Sequence, residues 1–176
     1  MASKAARPGL YAGVSLALLA AAPAPSPSPS SPPGRETIGI FASWGAFSDP
    51  SPLHCYAIAQ PVQSGGNSRW RPFASVANWP AQGARNQLHL RLSRARDPRA
   101  RVTLSVGERR FELVAGEADA WAPDSRADAA IVAAIRSGRS MSVETLAKSG
   151  GPFADVYALG GAATAIDAAA LACVKR

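Results

Sequence analysis

The sequence holds only two cysteines, Cys55 and Cys173, and only two histidines, His54 and His89. It contains no C-x-x-C and no H-x-x-x-H, the spacings by which thiolates and imidazoles close on zinc, so no metal site is expected. G-x-S-x-G, a Walker loop and G-x-G-x-x-G are absent too, which removes the commonest nucleophile-elbow and nucleotide-binding readings and leaves no expected cofactor. No repeat is visible. No aromatic residue lies between Arg85 and Arg110, although eight arginines do, opposed only by Asp97 and Glu108. Stacking platforms interleaved with basic residues are what single-stranded nucleic acid requires, so no nucleic-acid partner is expected from this segment.

The apolar run from Leu10 to Ala22 has 13 residues and spans about 20 Å as a helix, short of the roughly 30 Å of a bilayer core. Lys4 and Arg7 precede it and small residues close it. The pattern predicts a secretory signal peptide over 1–22, with an uncleaved anchor as the alternative and membrane contact only in that case. "PAPSPSPSSPP" then predicts an extended, solvated spacer over 23–36, since alternating proline and serine can build neither a ladder nor a core. A single β-rich domain is expected over 37–176. Removal of Lys4 and Arg7 lowers the formal charge from +7 to +5.

Within that domain the period is mostly two. "TIGIFASWGAF" places Ile38, Ile40, Ala42 and Trp44 on one face, and "HCYAIAQP" does the same for Cys55, Ala57 and Ala59. "FASVANW" alternates Phe73, Ser75, Ala77 and Trp79. In "NQLHLRLS" Leu88, Leu90 and Leu92 point inward, and His89 and Arg91 outward. "RVTLSV" and "RRFELV" flank Gly107-Glu108, the order of a type II′ hairpin, and "RARDPRA" reads as an exposed loop. "MSVETLA" and "FADVYAL" form a second hairpin around residues 148–152. Helical period is confined to 125–137, where Ser125 and Asp128 have capping-box spacing, and to 161–173, where Ile166, Ala169, Ala170 and Cys173 share one face. About eight strands and two short helices predict a mainly β domain: an antiparallel β-sandwich or partly closed barrel.

Few residues invite chemistry. His54 adjoins Cys55, and a strand points the two to opposite faces. Asp49, His54 and a serine could be drawn as a triad, but a chain with this many serines permits that anywhere, so no catalytic residue is assigned. A hydrolase built on His54 or Asp155 is the weakest reading. Asp155 shares its strand face with Phe153, Tyr157 and Leu159 and therefore needs a partner, because burying an unpaired carboxylate is costly. A structural buried acid is expected, held by backbone amides or by an arginine such as Arg71 or Arg85. Cys55 and Cys173 form an even pair, and in an exported chain they are expected to join, stapling the last helix to an early strand. The competing reading is two separately buried thiols.

Trp44, Cys55-Tyr56-Ala57, Pro61, Arg71-Pro72, Arg85-Asn86, Phe111-Glu112-Leu113 and Ala120-Trp121 follow one another in an order that resembles the invasion-associated locus B family of alphaproteobacteria. Gly138, Met141, the set Asp155, Tyr157, Leu159 and Gly160, and the terminal "AAALAC" extend the resemblance from Trp44 to Cys173. The proline–serine spacer and the "KSGGPFA" turn depart from it. The resemblance implies an exported envelope protein with no described active site, associated in some members with host-cell invasion.

The expected function is accordingly that of an exported, non-enzymatic protein of the periplasm or cell envelope, with an interaction or structural role. Its expected partners are envelope proteins or anionic surface glycans and lipids. The alternative is a binding module for anionic lipid, lipopolysaccharide or polysaccharide, carried by Arg91, Arg94, Arg96, Arg99 and Arg101.

Overall fold

The computed structural model describes residues 34–65 and 71–174. The expected signal peptide over 1–22 and the spacer up to residue 33 lie outside the described residues. Ten strands and two helices follow in the order β1 (Glu36–Phe41), β2 (Trp44–Pro50), β3 (Leu53–Ala59), β4 (Phe73–Trp79), β5 (Ala84–Arg91), β6 (Val102–Val106), β7 (Arg109–Ala115), β8 (Asp119–Trp121), α1 (Ser125–Ser137), β9 (Ser140–Leu146), β10 (Pro152–Ala158) and α2 (Ala162–Val174). All strand pairs are antiparallel, in one sheet of order β1-β2-β3-β4-β5-β8-β7-β6-β9-β10 that is not closed. The mainly β class, the mid-chain helix and the C-terminal helix are as expected. No described helix is long and apolar enough to cross a membrane.

Period-two burial builds the core. Cys55, Ala57 and Ala59 of β3, Ala74 and Val76 of β4, and Leu88 and Leu90 of β5 all face one side of the sheet, where they are buried. Both helices lie on that side: α2 packs against β1 to β4, and α1 against β5 to β7. The small residues of β3 and β4 let α2 approach closely, and its own face there is alanine-rich: Ala162, Ala165, Ile166 and Ala169 are buried. The disulfide between Cys55 and Cys173 joins this helix to β3, with the Cα atoms 5.7 Å apart and a sequence separation of 118.

Three local features differ from the sequence reading. Residues 37–47 form a hairpin rather than one strand. Ala42 takes φ +51 at its turn, Ser43 Oγ donates to the carbonyls of Ala158 and Gly160, and Trp44 Nε1 donates to Ala158 at 2.9 Å. Tertiary bonds therefore hold a turn that lacks the usual glycine or asparagine signal. The cap of α1 is Asp124, whose carboxylate accepts from Ala127 N at 2.8 Å; Asp128 instead reaches across to accept the amide of Leu88 in β5 at 2.8 Å. The segment around 94–100 is half-buried rather than fully exposed, and the short β8 beyond it adds a strand that "ADAW" does not advertise.

Gly107 takes φ +57 while Glu108 stays at negative φ, as a II′ turn requires. Gly161 matters more. It has φ +86, and a β-carbon there would fall on the Phe41 carbonyl, so only glycine lets α2 start against β1.

Candidate functional site

Neither helix packs on the opposite face of β2 to β5 and β8. Alternation puts His54, Tyr56 and Ile58 of β3 on that side, with Phe73, Ser75, Ala77 and Trp79 of β4. Register then assembles two rows. Phe47 pairs with Tyr56, Tyr56 with Ala77 and Ala77 with Gln87; Gly45 pairs with Ile58, Ile58 with Ser75, Ser75 with His89 and His89 with Trp121. Small residues, Ser75 and Ala77, fall in the middle of the rows, and the rings fall at opposite ends of the two: Phe47 and Tyr56 at the β2–β3 end of one, His89 and Trp121 at the β5–β8 end of the other. The result is a groove of about 410 Å³ with a low floor and two aromatic walls.

Each wall is built around one of the chain's two histidines. On one side the His54 ring stacks on Trp79, with centroids 4.1 Å apart and planes 7° from parallel, and on Tyr56 at 5.1 Å; Phe47 continues the row at 5.8 Å from Tyr56. On the other side His89 stacks on Trp121 at 5.1 Å and lies perpendicular to the Phe73 ring, with centroids 5.0 Å apart. Trp79 and Trp121 are each backed by an imidazole yet remain part-exposed. Cross-strand aromatic pairs of this kind stiffen a sheet as well as shaping its surface.

Carboxylates anchor both walls. His89 Nε2 lies 2.8 Å from Asp119 Oδ1, which also accepts from Arg91 Nε at 2.6 Å. His54 Nε2 lies 3.4 Å from Asp49 Oδ2, so the structure does bring Asp49 and His54 together. Arg35 Nε is 3.3 Å from Asp49 Oδ1, and its guanidinium sits 5.9 Å from the Phe47 ring centre and 5.7 Å from that of Tyr56. The Tyr56 hydroxyl is pushed up from its ordinary pKa, mainly by burial; nearby Arg35 opposes the rise and Asp49 adds to it. Two arginines thus face two aspartates, and their formal charges cancel within and beside the groove.

The residues singled out from the sequence are distributed elsewhere. Cys55 and Cys173 are joined behind the sheet, on the helix side. Asp155 is fully buried; its Oδ1 accepts from Gly65 N at 3.0 Å and its Oδ2 from Ser93 N at 2.8 Å. Its partners are therefore backbone amides, not Arg71 or Arg85, and it ties the loop after β3 and the end of β5 to β10. That loop also exchanges backbone bonds with β10, Val62 N donating to Val156 O at 2.7 Å and Val156 N to Gln63 O at 2.8 Å. The neighbouring Tyr157 hydroxyl is pushed far up by burial and by the Asp155 charge, and has no hydrogen-bond partner among the described residues.

The arginine segment divides. Arg96 donates to four carbonyls, those of Ala115 and Gly116 at 2.7 Å, Ala100 at 2.8 Å and Asp97 at 2.9 Å, and so pins its own loop. Arg91 is held on Asp119 beside the groove. Arg101 makes an exposed pair with Glu112 at 3.3 Å, while Arg94 and Arg99 make no ion pair among the described residues. Among the described residues no group of three or more His, Cys, Asp or Glu side chains is arranged to hold a metal.

The groove was missed in the sequence because its walls come from five strands. The available signal was the alternation of Phe73, Ser75, Ala77 and Trp79, which marks a strand with aromatic ends and small residues between them on one face.

The fold and the groove together define an open antiparallel β domain, helix-backed on one face and aromatic-lined on the other. It is similar in fold to the crystal structure of invasion associated protein b from Bartonella henselae, at a TM-score of 0.55 and 18% identity, over 80% of this chain and 99% of that one. The resemblance read from the residues is thus met by a likeness of fold. No family model matches the chain, and no curated protein matches it.

Proposed function

We propose that the chain is an exported, non-enzymatic binding module of the cell envelope, and that the aromatic groove is its binding face. The observation that carries this is the pair of histidine-backed tryptophans, Trp79 and Trp121, on opposite sides of a floor of small residues. A sheet face that needed only to be soluble would carry charged and β-branched residues there; one that offers part-exposed rings around a depression is arranged for a ligand. The paired cysteines and the fold likeness are compatible with life outside the cytoplasm. Both imidazoles are stacked and braced on carboxylates, a rigid arrangement that suits a binding wall.

The second reading, an anionic ligand held by the arginine segment, keeps support from Arg94 and Arg99, and from Arg101 in its exposed pair. Arg96 supports it less, because its donors are occupied by carbonyls. The two are separated by retaining envelope material on immobilised protein. Trp79→Ala and Trp121→Ala should release what is retained, and Arg99→Ala with Arg101→Ala should leave it bound. Release by the arginine pair alone would instead place binding on the 94–101 segment.

A further inference from the structure

We infer that the groove takes a neutral glycan chain, its sugar rings lying against the tryptophan walls; this rests on the groove being the binding face. Three features of the site point to that chemistry together. First, its charge is balanced. Around this hollow Arg35 is engaged by Asp49 and Arg91 by Asp119, so a phosphate or sulfate there finds no uncommitted guanidinium and meets a carboxylate beside each of the two arginines; Arg71, which makes no ion pair among the described residues, lies outside it. Secondly, the groove is not purely apolar, as an acyl chain would want. Ser75, Gln87, His54 and Asp49 interrupt the rings with planar or hydroxyl hydrogen-bonding groups. A pyranose is amphipathic in the same way: its C–H faces stack on aromatic rings, and its rim of hydroxyls both donates and accepts. Thirdly, the groove is longer than one ring. A second hollow of about 600 Å³ shares Phe47, Ile58 and Phe73 with the first and continues it past Gly45 towards Arg71 and Pro72. Trp79 lies on β4 and Trp121 on β8, two strand spacings apart, or about 10 Å across the sheet before any offset along it. A single sugar cannot touch both walls; a chain of several can.

The test is affinity electrophoresis of the folded, oxidised protein through native gels cast with a soluble β-glucan, with dextran, or with dextran sulfate, and a parallel titration with chitin oligosaccharides. At least one neutral glycan should retard the protein, and the retardation should persist when salt is raised, since no ion pair is being screened. Trp121→Ala and Trp79→Ala should each weaken it on the order of tenfold, with the phenylalanine variants in between. Gln87→Ala, an exposed change that leaves the core untouched, should also weaken it and keeps the test valid if a tryptophan variant fails to fold. Retardation by dextran sulfate alone, lost as salt rises, would overturn the glycan assignment in favour of the arginine segment. No retardation or binding by any neutral glycan would also overturn it. In that case, envelope protein that cross-links through a photoreactive residue at position 87 would show that the groove still binds, and its absence would remove the groove reading as well.

Discussion

The imidazole of His54 and the indole of Trp79 lie face to face on neighbouring strands, with ring centroids 4.1 Å apart and planes only 7° from parallel. Such pairs contribute about 0.5–1.5 kcal/mol beyond the area they bury. A double-mutant cycle of His54→Ala and Trp79→Ala in urea melts should therefore return a coupling in that range. Additivity within about 0.3–0.5 kcal/mol would mean that the two rings are merely adjacent.

Asp155 should prove structural. Its removal strands the amides of Gly65 and Ser93 inside the protein, and each buried unsatisfied donor costs about 1–3 kcal/mol. Asp155→Ala should lose about 2–6 kcal/mol in a denaturant melt, and Asp155→Asn, which keeps one acceptor, should fall in the lower half of that range. A loss below about 0.5 kcal/mol would be the behaviour of a surface residue.

The disulfide should be a large local contributor. A closed loop of 118 residues is worth about 4–5 kcal/mol in the chain-entropy model, although measured values are often smaller. Mass spectrometry of the oxidised protein should show one internal bond linking Cys55 to Cys173. The double Cys→Ser variant should unfold at markedly lower urea concentration. An unchanged midpoint would show that α2 is held by its alanine face alone.

Asp128 makes stability depend on pH. Burial, chiefly, raises its carboxyl above the ordinary value; the Leu88 amide opposes the rise and Asp124 adds to it. The fold therefore favours the protonated form relative to the unfolded chain. The site's contribution is complete below the unfolded carboxyl pKa and is lost as pH rises through the folded one. Asp128→Asn keeps an oxygen for the Leu88 amide and removes the charge. Its stability should gain on the wild type's as pH rises from about 3 to 7. Parallel profiles over that range would contradict the assignment.

Much of the fold was legible in the residues. Alternation in "HCYAIAQP", "FASVANW" and "NQLHLRLS" assigned the faces of β3, β4 and β5, and it already sent His54 and His89 away from the core. The small face of Cys55, Ala57 and Ala59 marked where α2 docks. What alternation cannot supply is which strands become neighbours. The groove depends on Phe47 meeting Tyr56 and on His89 meeting Trp121, and the second pairing runs through β8, a strand of three residues. The hairpin turn at Ala42 was hidden because its support comes from Ala158 and Gly160, more than a hundred residues away. Asp155 was recognisable as a buried acid from its apolar strand-mates, but its amide partners depend on how two distant loops fold over β10.

The most direct measurement is a nuclear magnetic resonance titration of the isotope-labelled protein with neutral oligosaccharides of the β-glucan and chitin series, following the indole N–H signals. Trp44 is fully buried and donates to the Ala158 carbonyl at 2.9 Å, so its signal serves as an internal reference. The Nε1–H resonances of Trp79 and Trp121 should shift together and saturably while that of Trp44 stays fixed. Shifts confined to the amides between Arg94 and Arg101, or a spectrum unmoved by every neutral sugar, would contradict the groove as a glycan site.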